Sequence, residues 1–382
     1  MTDRDGAADH APLNLRTPGP TPLPAEVRQA LGRDMVNHRG PEFASALREC
    51  EDGLKWAFQT RNDVLVLTAS GTGGLESVVA NTLSPGERVL VVSIGYFGDR
   101  FARLARAFGA DVQLASFPWG QAADPNVVAA RLDADPSIQT VFVTHNETST
   151  GVLNPLEHIA LAARRVRPDV VLAVDGISSV SSVPILPDEW QCDVVVAGSQ
   201  KGWMVPPGLA FVAVSDRAWR RQAEARMPRW YFDWLTHRQA LAKGATPATP
   251  AVGLVFALRA GLRLMRAEGL AAVFQRHDQV ARYTRAGLAD LGLRLFADPA
   301  YASPTVTTAH APEGVQASAL LRTLRERHRV VLAGGQGDFE GKMLRVGHLG
   351  SVTKQDIAAA LEALRLELQE QRGGVVLTGS SR

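Results

Sequence analysis

Cysteine is scarce in this chain: among 382 residues there are two, Cys50 and Cys192. They stand too far apart for a metal or redox spacing, so neither a disulfide framework nor an iron–sulfur cluster follows from them. A reduced, cytoplasmic setting is the simplest one. A predominance of one charge is missing too. The 41 basic and 39 acidic residues nearly cancel, and no basic block stands out, which argues against a nucleic-acid or membrane surface. No uninterrupted apolar run approaches the length of a transmembrane helix. Met1 to His10 is polar and acidic, unlike a signal peptide. No internal repeat is present. What remains, 46% hydrophobic and 21% charged residues, is the composition of an ordinary globular protein.

The length accommodates one large and one smaller domain. Residues 1 to 12 read as disordered, and Leu13 to Pro24 as an extended, proline-stiffened arm. Helical periodicity appears at Pro24–Gly32 and Phe43–Phe58. Seven short strand-like runs follow: Val64–Leu67, Arg88–Ser93, Asp111–Ala115, Thr140–Thr144, Val170–Val174, Asp193–Ala197 and Leu209–Val214. Helical segments lie between several of them, at Gly74–Leu83, Arg100–Phe108 and Leu156–Val166. This alternation predicts an α/β fold: a mostly parallel seven-stranded sheet with right-handed crossovers and helices on both faces.

After Trp219 the pattern changes. Arg220–Thr246 is rich in Arg, Trp and Tyr and has no clean strand, and Ala251–Glu268 is a long apolar-faced helix. The remainder reads as helix Ala271–Leu291, strands Leu293–Phe296 and Pro304–Thr308, helix Ala317–Arg327, strands Val330–Ala333 and Met343–Val346, and helix Lys354–Gln371. Thr353 with Asp356 is a capping box for that last helix, and the tail Gly373–Arg382 reads as loose. The expected organisation is an arm (1–24), a large domain (25–250) and a small C-terminal α+β domain (251–382).

The chemistry gathers at strand ends. Val194–Val196 is a buried strand broken by Gly198 and Ser199, which leaves Lys201 just past its end. In an open α/β sheet, that edge is where ligands bind. Lys201 is either a solvated loop lysine or a partly desolvated amine that attacks a carbonyl and forms a Schiff base. The run Val170–Val174 closes on Asp175, a helix N-cap or something more. Pyridoxal phosphate needs such a pair: a lysine for its aldehyde and an aspartate to keep its pyridine nitrogen protonated. Thr68–Gly74 is a glycine-rich turn opening a helix, where backbone N–H groups with Ser70 and Thr72 would cradle a phosphate. It lacks the spacing of a dinucleotide fingerprint or a P-loop. Phe97, between Gly95 and Gly98, is either a hydrophobic plug or a platform for a flat ring. Thr144–Gly151 holds more polar groups than a simple turn requires.

These motifs resemble those of class V aminotransferases of fold type I, most closely the alanine–glyoxylate and serine–glyoxylate enzymes. The likeness runs from Thr17-Pro18-Gly19-Pro20 through Ser70-Gly71-Thr72-Gly73, Asn146 to Val152 and Gly198-Ser199-Gln200-Lys201 to Leu344-Arg345-Val346-Gly347. It implies transamination between alanine or serine and a 2-oxo acid such as glyoxylate, with pyridoxal phosphate and in a homodimer. By the same resemblance, Lys201 would hold the cofactor covalently and shuttle a proton, and Asp175 would bind the ring nitrogen. Phe97 would stack on the ring, where relatives often carry Trp. Ile177 would pack on its other face, and Thr148 would meet its hydroxyl. Ser70, Gly71, Thr72 and Gln200 would hold the phosphate, joined by Thr249 of the neighbouring subunit. Arg345 would pair bidentately with the substrate carboxylate. The chain departs from the family pattern at Thr246, where a tyrosine is expected, which puts one phosphate contact in doubt.

Three other readings carry different expectations. A β-eliminating or desulfurase-type lyase usually stacks a histidine and, for desulfurases, offers a loop cysteine; Phe97, Cys50 and Cys192 disfavour both. A passive cofactor-binding subunit of a larger complex would show no spectral change with amino acids. Aspartate and ureidoglycine are alternative donors; for aspartate, whose second carboxylate would want a second cation, His38, Arg39 or His348 would supply it.

Overall fold

The computed structural model describes residues 12–378, with side chains as far as residue 370. Expectations for residues 1–11 and 379–382 lie outside the described residues. The central sheet has seven strands: β1 (Asp63–Leu67), β2 (Arg88–Ser93), β3 (Asp111–Ser116), β4 (Thr140–Thr144), β5 (Val171–Asp175), β6 (Val194–Gly198) and β7 (Ala210–Val214). Their spatial order is β1-β7-β6-β5-β4-β2-β3. β7 runs antiparallel to both its neighbours, and the other pairings are parallel.

Apolar, often β-branched runs form all of these strands but the half-buried edge strand β3, because both faces of the sheet are covered and neighbouring residues are buried in opposite directions. In β6, Val195 and Ala197 enter one hydrophobic cluster, whereas Val194 and Val196 enter the other. Helices Gly71–Thr82 and Tyr96–Ala107 cover the second face through Leu75, Val78, Phe101 and Ala105. Helices Pro41–Phe58, Leu156–Val166 and Val252–Glu268 cover the first through Phe43, Leu54, Ile159 and Leu258. Gly74 permits the close approach of its helix, since a Cβ there would lie 2.7 Å from Val196 Cγ1.

The C-terminal part has a three-stranded antiparallel sheet in which Met343–Gly347 lies between Val306–His310 and Ala333–Gly334. Helices Leu270–Asp290, Ala317–His328 and Lys354–Thr378 pack on it through a separate apolar cluster containing Val280, Leu320 and Ile357. The expected strand Leu293–Phe296 is absent; that segment makes one isolated bridge, Leu295 to Ala309. The expected loose tail is helical as far as Thr378. Thr353 and Asp356 do form the reciprocal cap. Between Arg220 and Thr246 the chain forms a short helix, Trp234–Leu241.

The proline-rich arm is not idle within its own chain. Asn14–Leu15 pairs in parallel with Val330–Val331, and Arg16 O accepts the N–H of Gly347 at 2.6 Å. The arm then crosses to the large sheet, where Thr21 N–H donates to Gln200 O at 3.1 Å and Thr21 Oγ1 to Lys201 O at 3.0 Å.

Candidate active site

β5 and β6 run parallel side by side, with Asp175, the last residue of β5, opposite Val196 in the register. Ser199 fixes the turn that follows: its Oγ donates to Pro206 O (2.6 Å) and accepts from Leu209 N–H (3.1 Å). That turn sets Lys201 at a cavity of about 220 Å³ together with Asp175. Asp175 is buried and accepts the N–H of Ile177 at 3.0 Å. Burial pushes its pKa up to about 6, against the pull of that N–H and of the Lys201 and Arg100 charges. Burial draws the Lys201 amine down to about 8; Asp175 opposes this and Arg345 adds to it. The Lys201 Nζ donates to Pro18 O on the arm.

The same cavity is lined by Gly71, Thr72, Phe97, Thr148, Ile177 and Gln200. The helix starting at Gly71 aims its free N–H groups there, as an anion site requires. A Cβ on Gly71 would come within 2.6 Å of Ile177 Cδ1, so only glycine lets the two meet. Ser70 caps that helix without a side-chain bond and is exposed beside the cavity. Thr249 is exposed and does not line it. Arg345, on the middle strand of the small sheet, is buried. Desolvation lowers its pKa to about 10, partly offset by Glu147.

Sequence reasoning missed several residues. Glu147 is fully buried and receives the N–H groups of Phe97 (3.0 Å) and Gly98 (3.1 Å) on Oε2. Its Oε1 accepts the N–H and Oγ–H of Ser149 at 3.1 and 2.6 Å. This carboxylate therefore anchors the first turn of the helix that carries Phe97, where negative charge is favourable. Arg100 donates to Thr72 Oγ1 at 2.7 Å and lines the cavity. Asn146, also at the cavity, is held by Ser178, Ser303 and Thr305. The excess polarity of Thr144–Gly151 was the available signal for Glu147 and Asn146.

A half-buried lysine and a buried aspartate facing one cavity, a helix N-terminus beside them and a buried arginine close by call for a cofactor with an aldehyde, a basic ring nitrogen and a phosphate. The sequence profile of the family "Aminotransferase class-V" matches residues 19–352. The chain belongs to the class V aminotransferases. It is 38% identical to the L-aspartate–glyoxylate aminotransferase of Paracoccus denitrificans over 88% of this chain and 86% of that one. It is 45% identical, over 93% of each chain, to a Synechococcus protein (strain PCC 6716) named soluble hydrogenase, small subunit. The solved alanine–glyoxylate aminotransferase of Nostoc superposes with a TM-score of 0.90 at 32% identity, covering 96% of this chain and 97% of that one.

This aminotransferase is therefore a fold type I enzyme that depends on pyridoxal phosphate and acts on amino and oxo acids. Its cavity suits that cofactor. Gln200 Oε1 is buried without a hydrogen-bond partner, and turning the amide over would present its NH₂ to a phosphate oxygen. Gly71 and Thr72, in the first turn of their helix, line the cavity, where the helix N-terminus suits an anion. Among the described residues no helix of the aminotransferase is long and apolar enough to cross a membrane.

Proposed function

We propose that the enzyme transfers the amino group of a small amino acid, alanine or serine, to glyoxylate in a ping-pong cycle. The observation that carries this reading is the pairing of Lys201 with Asp175 at one cavity, with Arg345 near enough to lower the lysine's proton affinity. Pyridoxal phosphate, when bound, supplies the aldehyde that exchanges amines and the ring that takes up an electron pair. Lys201 holds the cofactor through its amine and afterwards carries the proton to and from the substrate Cα. An amine whose pKa sits near 8 is well placed for that, because it gives and takes a proton near neutral pH. Asp175 keeps the ring nitrogen protonated. Phe97 and Ile177 enclose the ring, and Thr148 meets its hydroxyl. Ser70, Gly71, Thr72 and Gln200 hold the phosphate, and Arg345 takes the substrate carboxylate. The active unit is a homodimer in which the partner's Thr249 completes the phosphate site.

The placement of the candidate second cations supports small substrates. An aspartate side chain would want a second cation, and two of the residues suited to that are engaged elsewhere. His348 has both ring nitrogens bonded, to Thr307 Oγ1 and Pro304 O. Arg39 donates to Thr246 O at 2.7 Å. Aspartate is the second reading, supported by the Paracoccus relative. A matrix of alanine, serine, aspartate and ureidoglycine against glyoxylate, pyruvate and 2-oxoglutarate decides between them. The expected result is highest kcat/KM for alanine or serine with glyoxylate; faster turnover with 2-oxoglutarate, or with aspartate, refutes this reading.

A further inference from the structure

Arg345 has five N–H groups to place. Its Nε–H donates to Gly334 O at 2.6 Å. The two hydrogens of Nη1 go to Thr148 O at 3.1 Å and Gln336 Oε1 at 2.9 Å. Among the described residues, Nη2 has no hydrogen-bond partner. A fork-to-fork carboxylate contact needs two parallel N–H groups, one from Nη2 and one from Nη1 or Nε. Both of those nitrogens are already bonded within the chain, so one bond must yield.

Two of the three acceptors cannot easily move. Gly334 lies in a strand paired with the strand of Arg345 itself. Thr148 O is main chain in the buried run between Glu147 and Ser149, which Glu147 ties together. Gln336 differs: it is a half-buried side chain whose amide turns about its own bonds. The loop beneath it is clamped, with Phe339 stacked on Trp119 at 5.5 Å between ring centroids. Exchange therefore requires a rotamer change, not an opening of the loop.

We infer that Gln336 competes with the substrate carboxylate for Nη1 of Arg345 and so sets the affinity for donor and acceptor alike. The inference rests on the reading that Arg345 takes the carboxylate. A competing acceptor stabilises the guanidinium before the substrate arrives, and that stabilisation is subtracted from binding. It acts on both half-reactions, because each brings its carboxylate to the same arginine. It weakens binding without touching the proton transfer at Cα, so it belongs in KM and not in kcat.

The test uses the holoenzyme, with propionate as an unreactive carboxylate followed by the absorbance of the bound cofactor, alongside KM for alanine and glyoxylate. Gln336→Leu removes the competing acceptor and should lower the propionate Kd and both KM values by up to about tenfold, with kcat unchanged. Gln336→Glu supplies a charged competitor and should raise them by more than about tenfold. If Gln336→Leu folds poorly, Gln336→Met, of similar length and without an amide, carries the same expectation. A raised or unchanged Kd in the apolar variant overturns the inference, since the amide would then assist the substrate or ignore it. Arg345→Lys separates the two levels. If it leaves the propionate Kd unchanged, the assignment of Arg345 fails; if it weakens propionate while Gln336→Leu does not tighten it, only the role of Gln336 fails.

Discussion

Burial moves Asp175 and Lys201 toward each other on the pH scale, one up to about 6 and the other down to about 8. Each loses hydration in its charged form, and neither compensates the other fully. For Asp175 the consequence for stability has a definite sign. Its ordinary pKa of 3.8 is that of the unfolded chain, and the folded value is higher. Between about pH 4 and pH 6 the folded state thus binds the proton that the unfolded chain has released, and stability falls as pH rises through that window. Above it the full cost of a buried carboxylate remains, about 2–3 kcal/mol for a shift of this size. Asp175→Asn removes the charge. The cofactor-free variant should melt higher than the cofactor-free parent at pH 7.5, with the gain gone below pH 4. On the proposed reading the same variant, loaded with cofactor, should turn over far more slowly, because the ring nitrogen would lose its anionic partner. Melting curves at the two pH values and a steady-state assay check both halves.

At the scale of elements, the arm is where sequence and structure part. Its prolines predicted an extended segment, yet its partners are Val330, Val331, Gly347, Gln200 and Lys201, all far along the chain, so no local pattern foretold them. The seven central strands, by contrast, are legible almost to the residue: the inner ones because a strand buried on both faces writes its burial into a continuous apolar run, and the half-buried edge strand Asp111–Ser116 through alternating apolar and polar residues. The start of helix Gly71–Thr82 was expected at Gly74, since three glycines mask helical propensity. Lys201 and Asp175 stood out by lying next to such strands. Glu147 did not, as its bonds run to Phe97 and Gly98 some fifty positions earlier. The arm yields its own prediction through Gly19, which has φ 113° and where a Cβ would lie 2.7 Å from Lys201 Nζ. Gly19→Ala meets both the backbone penalty, at least about 1 kcal/mol, and that collision. It should slow attachment of added pyridoxal phosphate to the cofactor-free protein several-fold and expose residues 12–24 to protease. Unchanged attachment and cleavage would mean that the arm merely passes over the lysine.

The whole molecule raises the question of what covers its exposed apolar residues. Trp230 is 93% exposed, with Tyr231 and Leu235 exposed close by in sequence, and a chain seldom leaves such a group to water without a partner. Thr249 also lies on the surface and does not line the cavity of its own chain. A homodimer that lends Thr249 to the neighbouring phosphate site accounts for both. Phosphate contacts across an interface couple cofactor occupancy to dimerisation by mass action, so Thr249→Ala should loosen the cofactor and make its loss depend on protein concentration. Subunit mixing gives the sharper test. Lys201→Ala homodimers should be inactive, and Thr249→Ala homodimers weak when cofactor is limiting. In a hybrid of the two, the site of the Lys201→Ala chain carries both defects. The other site keeps its own Lys201 and receives an intact Thr249 from its partner. Mixing followed by subunit exchange should therefore restore activity at limiting cofactor, toward one sound site in each hybrid. If Thr249 served its own chain, every site in the hybrid would carry a defect and mixing would restore nothing. Sedimentation of the parent enzyme as an active monomer would remove the premise altogether.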